Sequence, residues 1–289
     1  MIGDAARTLG FNAIRLNPMT APAPITSKSN ARVKALRASF SGKPSQPGDL
    51  LGLEGEHLIA EAIRSGQALE TLFLREGSED VLARPALEAV DARDTLTLSR
   101  DVFASAVETT SPQGIAATLL IPTLPPPAPR PQSITLVLEG LQDPGNLGTL
   151  IRSAEAFGAQ QIFLTPDTVN PWNPKVVRAS AGSVFRLPIT RAPLAQIATR
   201  LTQQGTVLYA AVAQPGNSLS LLETTFAPHT AILIGNEGAG LSPEALALAE
   251  VRVRIPCAVE SLNAAIAGST LLYEALRQRS ANLTPASNP

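Results

Sequence analysis

Six prolines fall within the thirteen residues 121–133, IPTLPPPAPRPQS. Proline fixes φ and carries no backbone N–H, so a run this dense cannot enter a helix interior or a central strand and has to run as an extended connector. It therefore divides the chain. At 289 residues there is enough length for two modest domains, and the proline run is the linker between them. On its amino side, residues 1–24 contain Pro18, Pro22 and Pro24 with little periodicity and read as a flexible leader. Residues 25–120 mix predicted helices at Glu56–Arg64 and Pro85–Val90 with short strands at Thr71–Leu74, Thr95–Leu98 and Ile115–Leu120, the pattern of a small α/β domain.

Beyond the linker, in 134–280, apolar strand candidates recur at 134–138, 161–164, 184–189, 206–212, 230–235 and 251–255. Helical segments lie between and after them at 147–157, 174–181, 193–203, 243–249 and 262–278, and 281–289 reads as a tail. Strands alternating with helices at this spacing imply a mostly parallel sheet with helices on both faces.

Charge is unevenly divided along the chain. Residues 1–43 carry seven Lys or Arg against the single acid Asp4, whereas the remainder carries 16 basic and 23 acidic residues. Within the basic end, Lys28, Arg32, Lys34, Arg37 and Lys43 lie on or beside a short predicted helix with no acid between them. Such a patch either contacts nucleic-acid phosphates or forms a solvated helix face. The single cysteine, Cys257, cannot form an internal disulfide, and His57 and His229 are too few for a Cys/His cluster, so no metal is expected. No apolar run reaches the roughly 18 residues that span a bilayer, and the first 25 residues lack the basic-then-apolar order of a secretory signal. The expected location is the cytoplasm, without a membrane partner.

In a parallel sheet, ligands sit beyond the carboxyl ends of the strands. Three loops fall there: LEGLQDPGNLGTLIRSAEAFG (138–158), LIGNEGAGLS (233–242) and RIPCAVESLNAAIAGS (254–269). Each leaves a strand and opens a helix, where free N–H groups and the positive helix end face outward. The first packs Asp143, Pro144, Gly145, Asn146 and Gly148 into a tight turn and places Arg152 farther along the helix. Its spacing matches neither the dinucleotide fingerprint nor the P-loop. The second sets Gly235, Gly238 and Gly240 around Glu237; the glycines serve either a structural turn or close approach to a ligand. In the third, Ser261 is a plausible N-cap, and Ser261 and Asn263 act either as caps alone or as site residues.

The order N-x-G-x-x-x-R (Asn146, Gly148, Arg152), G-N-E-G-x-G (Gly235 to Gly240), then I-P followed by S-L-N (Ile255, Pro256, Ser261, Leu262, Asn263) resembles the three motifs of the SpoU/TrmH-type RNA ribose 2′-O-methyltransferases of the SPOUT superfamily. KVVRASAGS (175–183) is similar to that family's segment between the first two motifs, and LEGEHLIAEA (53–62) with the basic segment 26–37 resembles its L30e-like RNA substrate-binding domain. The resemblance implies an α/β catalytic domain with a deep trefoil knot, S-adenosylmethionine as cofactor held in the knotted loops, and a homodimer. It implies RNA as partner, ribosomal in preference to transfer RNA because of the amino-terminal extension; a non-catalytic RNA-binding factor is the alternative of another class. The matching catalytic residues are Asn146, Arg152, Glu237, Ser261 and Asn263, the matching cofactor contacts Gly235, Asn236, Gly238, Ile255 and Leu262, and the RNA contacts Lys28, Arg32, Lys34 and Arg37. Because arginine holds its proton in proteins, Arg152 is expected to orient the hydroxyl and stabilise the alkoxide, with Asn146 fixing it or a neighbouring phosphate. Glu237 is expected to pair with Arg152 or to position the second loop. The third loop departs from many relatives at Cys257 and Ala258, where they carry methionine and a longer, glycine-containing stretch.

Overall fold

A computed structural model describes residues 23–41, 43–214 and 216–283. Nearly all of the expected leader, and residues 284–289 of the expected tail, lie outside the described residues. The chain forms two compact units that meet between Pro122 and Thr123, within the proline run.

The first unit opens with helix α1 (Ala31–Ser41), strand β1 (Leu50–Glu54) and helix α2 (Glu56–Arg64). Strands β2 (Leu69–Arg75) and β3 (Ala92–Leu98), helix α3 (Arg100–Ala106) and strand β4 (Ile115–Leu120) follow. Its four strands lie in the order β1-β4-β2-β3, with β4 antiparallel to both neighbours and β2 parallel to β3. Val33, Leu36 and Phe40 of α1 recur at helical spacing and are buried with Phe73, Val102 and Phe103. The sequence pattern does not announce β1, because Gly52 interrupts it. A Cβ at Gly52 would lie 2.6 Å from Ser39 Oγ, so glycine lets the end of α1 approach the strand. The helix expected at Pro85–Val90 is only a 3₁₀ turn, Pro85–Leu87. Six residues gain too few α-type hydrogen bonds to offset helix nucleation, and Leu87 and Val90 close i→i+3 bonds instead.

In the second unit β5 (Ser133–Leu138) leads into α4 (Pro144–Ala156), followed by β6 (Gln161–Leu164), α5 (Pro174–Ala179), β7 (Ile189–Arg191) and α6 (Leu194–Gln203). The remainder comprises β8 (Val207–Val212), β9 (Leu219–Ser220), β10 (His229–Ile234), α7 (Pro243–Leu248), β11 (Val251–Arg254) and α8 (Ala264–Leu283). The seven strands run in the order β7-β6-β5-β10-β8-β11-β9, and every pairing is parallel. Successive side chains of a strand point to opposite faces. Val137, Phe163, Leu208 and Leu233 therefore share one face and pack with Ile197 and Leu201 of α6 and Ala245 of α7. On the other face α8 packs on β10 and α4 on α8. That contact is close enough to require Gly268, where a Cβ would meet Leu150 Cδ2 at 2.4 Å.

The strand expected at 184–189 is not one. Ser183–Phe185 form a 3₁₀ turn after Gly182, whose φ of 88° sends the chain back, and the strand begins only at Ile189. Val184 and Phe185 are apolar because the turn is buried, with the Phe185 ring 6.3 Å from that of Trp172. Short apolar runs carry no periodicity that separates these outcomes. Because all seven strands are parallel, the loops 139–143, 165–173, 235–242 and 255–263 leave from one edge of the sheet, and the strand starts Ser133, Gln161, Val207 and His229 lie at the other.

Candidate active site

Helix α4 is started by local chemistry. Pro144 occupies its first turn, and the Asp143 carboxylate accepts a hydrogen bond from the Asn146 N–H at 2.7 Å. The helix thus begins three residues before the expected 147. Gly148 is buried in it because α5 passes close by: a Cβ there would meet Ala179 Cβ at 2.5 Å and the Val176 carbonyl oxygen at 2.7 Å. Arg152 stands on the exposed stripe with Thr149 and Ala156. Six residues along an α-helix advance about 9 Å and turn roughly 240°, so Arg152 does not share a face with Asn146.

The loop after β10 is organised by Asn236. Its Oδ1 accepts from Gly238 N (2.9 Å) and Ala239 N (3.0 Å), while its Nδ2 donates to the Gly140 carbonyl at 2.8 Å, tying the second loop to the first. Gly235 is buried beneath this turn. A Cβ on it would come within 2.2 Å of Gly240 C, so its glycine character serves closure of the loop. Gly238 and Gly240 are exposed, and a Cβ on Gly240 would meet nothing within 4 Å. Glu139, at the end of β5, accepts from Ser242 N at 2.9 Å and Ser242 Oγ at 2.6 Å, and Ser242 caps α7.

Glu237 does not pair with Arg152. Its carboxylate accepts from Gln142 N (3.2 Å), Asp143 N (3.1 Å) and Asn146 Nδ2 (3.1 Å). Partial burial pushes its pKa up, but the hydrogen bonds from Asn146 and the loop amides outweigh this and hold it below the ordinary glutamate value. The charge has a structural consequence. An ionised carboxylate only accepts, so Asn146 must turn its NH₂ toward Glu237 and its carbonyl oxygen away. That oxygen accepts from Asn263 Nδ2 at 3.0 Å. Asn263 in turn points its own oxygen at the start of α8, accepting from Ala265 N (2.9 Å) and Ile266 N (3.2 Å). One polar chain, Glu237 to Asn146 to Asn263, therefore joins all three loops with every amide orientation fixed by its neighbour.

The N-cap of α8 is thus Asn263 and not Ser261, and the helix begins at Ala264. Ser261 lies exposed outside the hydrogen-bonded chain. Between them and β11, Pro256 to Ser261 are exposed, with the Cys257 thiol donating to the Val259 carbonyl at 3.2 Å, and Ile255 and Leu262 are half-buried at either end. Exposed glycine backbone at 238 and 240, free of side chains, with Ile255 and Leu262 as apolar flanks, fits a ligand bearing a flat apolar ring.

Sequence reasoning passed over a fourth loop at this edge, after β6. Thr165 Oγ1 accepts from Gly140 N at 3.0 Å and donates to Asp167, while Arg191 donates to the Pro166, Thr168 and Val169 carbonyls. The cluster TPDT directly after a strand was the available signal. In the first unit, Arg37 donates to Ser105 O (3.1 Å) and Oγ (3.3 Å), and Arg32 pairs with Asp94 at 3.1 Å, whereas Lys28 and Lys34 are exposed. Among the described residues no group of three or more His, Cys, Asp or Glu is placed to hold a metal ion, and no helix is long and apolar enough to cross a membrane.

Known proteins resemble this chain in sequence and fold. The family described as SpoU rRNA Methylase matches residues 133–273, and that described as RNA 2'-O ribose methyltransferase substrate binding matches residues 53–122. The chain is 40% identical to an uncharacterized tRNA/rRNA methyltransferase of Synechocystis, over 93% of this chain and 99% of the relative. It is 30% identical to the 23S rRNA (guanosine(2553)-2'-O)-methyltransferase RlmP of Bacillus subtilis, over 86% and 97%. Among solved structures, the SpoU methyltransferase AviRb from Streptomyces viridochromogenes in complex with AdoMet matches with a TM-score of 0.73 at 28% identity, covering 87% of this chain and 98% of that one. The AdoMet-bound rRNA methyltransferase from Sinorhizobium meliloti matches with a TM-score of 0.72 at 29% identity, covering 91% and 99%. The chain belongs to the SpoU rRNA methylase family.

Proposed function

We propose that this protein transfers a methyl group from S-adenosylmethionine to a ribose 2′-hydroxyl of ribosomal RNA, working in the cytoplasm as a homodimer whose catalytic unit carries the family's deep trefoil knot. The observation that carries this reading is the polar chain from Glu237 through Asn146 to Asn263, which ties the three motif loops together at the carboxyl edge of the sheet. The similarity to RlmP, named a 23S rRNA 2′-O-methyltransferase, supports the substrate class, and the two similar structures with AdoMet support the cofactor.

When bound, S-adenosylmethionine supplies a methyl group already activated on a sulfonium. The backbone of Asn236, Gly238 and Gly240 and the side chains of Ile255 and Leu262 would hold it. The chain's own task is then to present a ribose oxygen in line and to favour the charge that develops on it. Arg152 is exposed and makes no hydrogen bond or ion pair to the described residues. Its guanidinium is free to meet that oxygen and an adjoining phosphate. Asn146 and Asn263 keep the turn in place as the substrate enters. Gly235 is buried beneath the second loop and in this reading supports it.

The dimer rests on α8, where Ile266 and Tyr273, seven residues apart on one helical face, are 57% and 54% exposed. Phe157, at the end of α4, lies edge-on to Tyr273 at 5.7 Å and extends the apolar strip. Purified protein incubated with S-adenosylmethionine and unmodified ribosomal or transfer RNA, followed by mapping of alkali-resistant linkages, tests the activity. Ribose methylation of ribosomal RNA is the expected result. Methylation of transfer RNA alone, of a base, or of neither RNA overturns the reading at successively deeper levels. Sedimentation of the same protein as a monomer at micromolar concentration would remove the homodimer.

A further inference from the structure

We propose that the amino-terminal edge of the seven-stranded sheet, opposite the motif loops, holds a binding site for a phosphate oxyanion built by Arg130, Arg200 and His229. A cavity of about 230 Å³ lies there, bounded by the linker segment Pro126–Arg130 and by strand starts that include Ser133, Gln161 and His229. Its lining contains no Asp or Glu. Nothing within the cavity neutralises its cations.

Arg200 is held in place without being neutralised. Its guanidinium carbon sits 5.4 Å from the centroid of the Phe163 ring, and it makes no hydrogen bond or ion pair to the described residues. Arg130, exposed on the linker, makes none either. His229 Nδ1 shares a hydrogen bond with Ser133 Oγ at 2.9 Å, which fixes the ring and leaves Nε2 uncommitted. A further cation stands behind this wall. Arg279 of α8 donates to the Ser133 and Pro228 carbonyls at 2.9 and 3.1 Å, while its Nε and Nη1 are buried with no partner. A position in the last turn of α6 favours a cation and accounts for Arg200 on its own. It does not account for a second arginine, without a hydrogen bond or ion pair to the described residues, delivered to the same cavity by the linker.

Clustered positive charge in a concave site focuses the field and attracts an anion. Guanidinium forks match phosphate oxygens in particular. The volume is several times the roughly 30 Å³ occupied by a water molecule, enough for a tetrahedral oxyanion carrying an ester group. The ligand is therefore a phosphate, either free or in a nucleotide, or else a diester of an RNA backbone. In both cases its binding joins linker residue Arg130 to the sheet edge.

Two histidines in the whole chain make the test direct. Inorganic phosphate is titrated into the full-length protein while the imidazole carbon resonances are followed, with assignment by His57→Gln. The expected result is saturable movement of the His229 signals alone, weakened about ten-fold or more in Arg200→Gln and in Arg130→Gln, two surface variants whose melting temperatures without phosphate match wild type. A linear, non-saturating drift equal in wild type and variants, or movement of His57 instead, overturns the site. RNA binding then separates the sources. If Arg130→Gln also weakens RNA binding and phosphate competes with RNA, the ligand is a backbone diester; if RNA affinity is unchanged, it is free phosphate or a nucleotide. None of these readouts requires S-adenosylmethionine or turnover, so failure of the site is distinguishable from failure of the methyltransferase assignment.

Discussion

The two edges of the seven-stranded sheet handle polar groups in opposite ways. At the carboxyl edge, Glu139 is held by Ser242, Asn236 by Gly140, Glu237 by Asn146 and the loop amides, and Asn146 by Asn263. At the amino edge, Arg130 and Arg200 line a cavity and make no hydrogen bond or ion pair to the described residues. Groups that satisfy one another fix geometry before any substrate arrives, which is the requirement for aligning a transfer reaction. Groups left unsatisfied take their partner from outside. Arg152 is an exception at the carboxyl edge: a cation with no hydrogen bond or ion pair to the described residues beside a committed scaffold, and under the proposed function it is the group that would meet the substrate.

The sharpest way to break the contrast is to remove that exception. Arg152→Ala should lower single-turnover methyl transfer by roughly 10²- to 10³-fold, the loss typical of one oxyanion-stabilising donor, while calorimetry finds S-adenosylmethionine affinity within a few fold of wild type. Arg152→Lys should not restore the rate, because a single ammonium lacks the planar fork. A near-normal rate in either variant would place the reacting oxygen elsewhere.

The scaffold has its own test in two glycines of one loop. Gly235→Ala puts a Cβ within 2.2 to 2.4 Å of backbone atoms of Gly240 and Leu241, which cannot move without opening the turn. Its melting temperature and cofactor affinity should both fall, the latter about ten-fold or more. Gly240→Ala meets nothing within 4 Å and suffers only from a φ of 72°, a strain of roughly 1–2 kcal/mol. The order of the two effects is the point. If Gly240→Ala is the more damaging, access of the ligand to the Gly240 backbone outweighs closure of the loop, and Gly235 is less critical than its packing indicates.

Glu237 links the scaffold to pH. Its pKa is lower folded than unfolded, so it binds fewer protons in the folded loop, and the stabilisation it gives is fully present above the unfolded glutamate value of 4.5 and is lost as pH falls through the lower folded value. Cofactor affinity should therefore be level from neutral pH to about 5 and decline only below the ordinary carboxylate range. Glu237→Gln should flatten that decline and cost about ten-fold in affinity at pH 7, since an amide NH₂ must then face one of the donors that the carboxylate accepted. An acid limb that survives the substitution unchanged would assign it to another carboxylate.

The carboxyl-edge loops are legible in the sequence because their glycine, asparagine and glutamate spacings survive in any context. Which partner each chooses is not. Ser261 and Asn263 are both good N-cap types; Asn263 takes the role since its amide also has to reach Asn146, 117 residues away. The same limit applies to Glu237, whose true partners, Gln142, Asp143 and Asn146, lie in a different loop from its own. Strand β1 was hidden by Gly52, and the run at 184–189 carried burial without strand geometry. Burial and residue type are local signals, whereas hydrogen-bond partners drawn from distant segments are set by the fold.

The basic end of the first unit offers the mildest test of the same contrast. Read as charge alone, Lys28, Arg32, Lys34 and Arg37 are equivalent phosphate contacts. In the fold, Arg37 is committed to Ser105 and Arg32 to Asp94, while Lys28 and Lys34 are exposed. For each phosphate that a cation no longer neutralises, the slope of log K for RNA against log salt becomes shallower by roughly 0.7 to 0.9. Lys34→Gln should show that decrement with an unchanged melting temperature. Arg37→Gln should leave the slope near wild type and lower the melting temperature instead, because it removes hydrogen bonds that hold α1 to α3. Arg32 falls between them, since an exposed ion pair is worth little and opens readily for a stronger anion. Equal slope changes for Lys34→Gln and Arg37→Gln would mean that RNA draws Arg37 away from Ser105, and commitment within the chain would then no longer separate structural from binding cations in this unit.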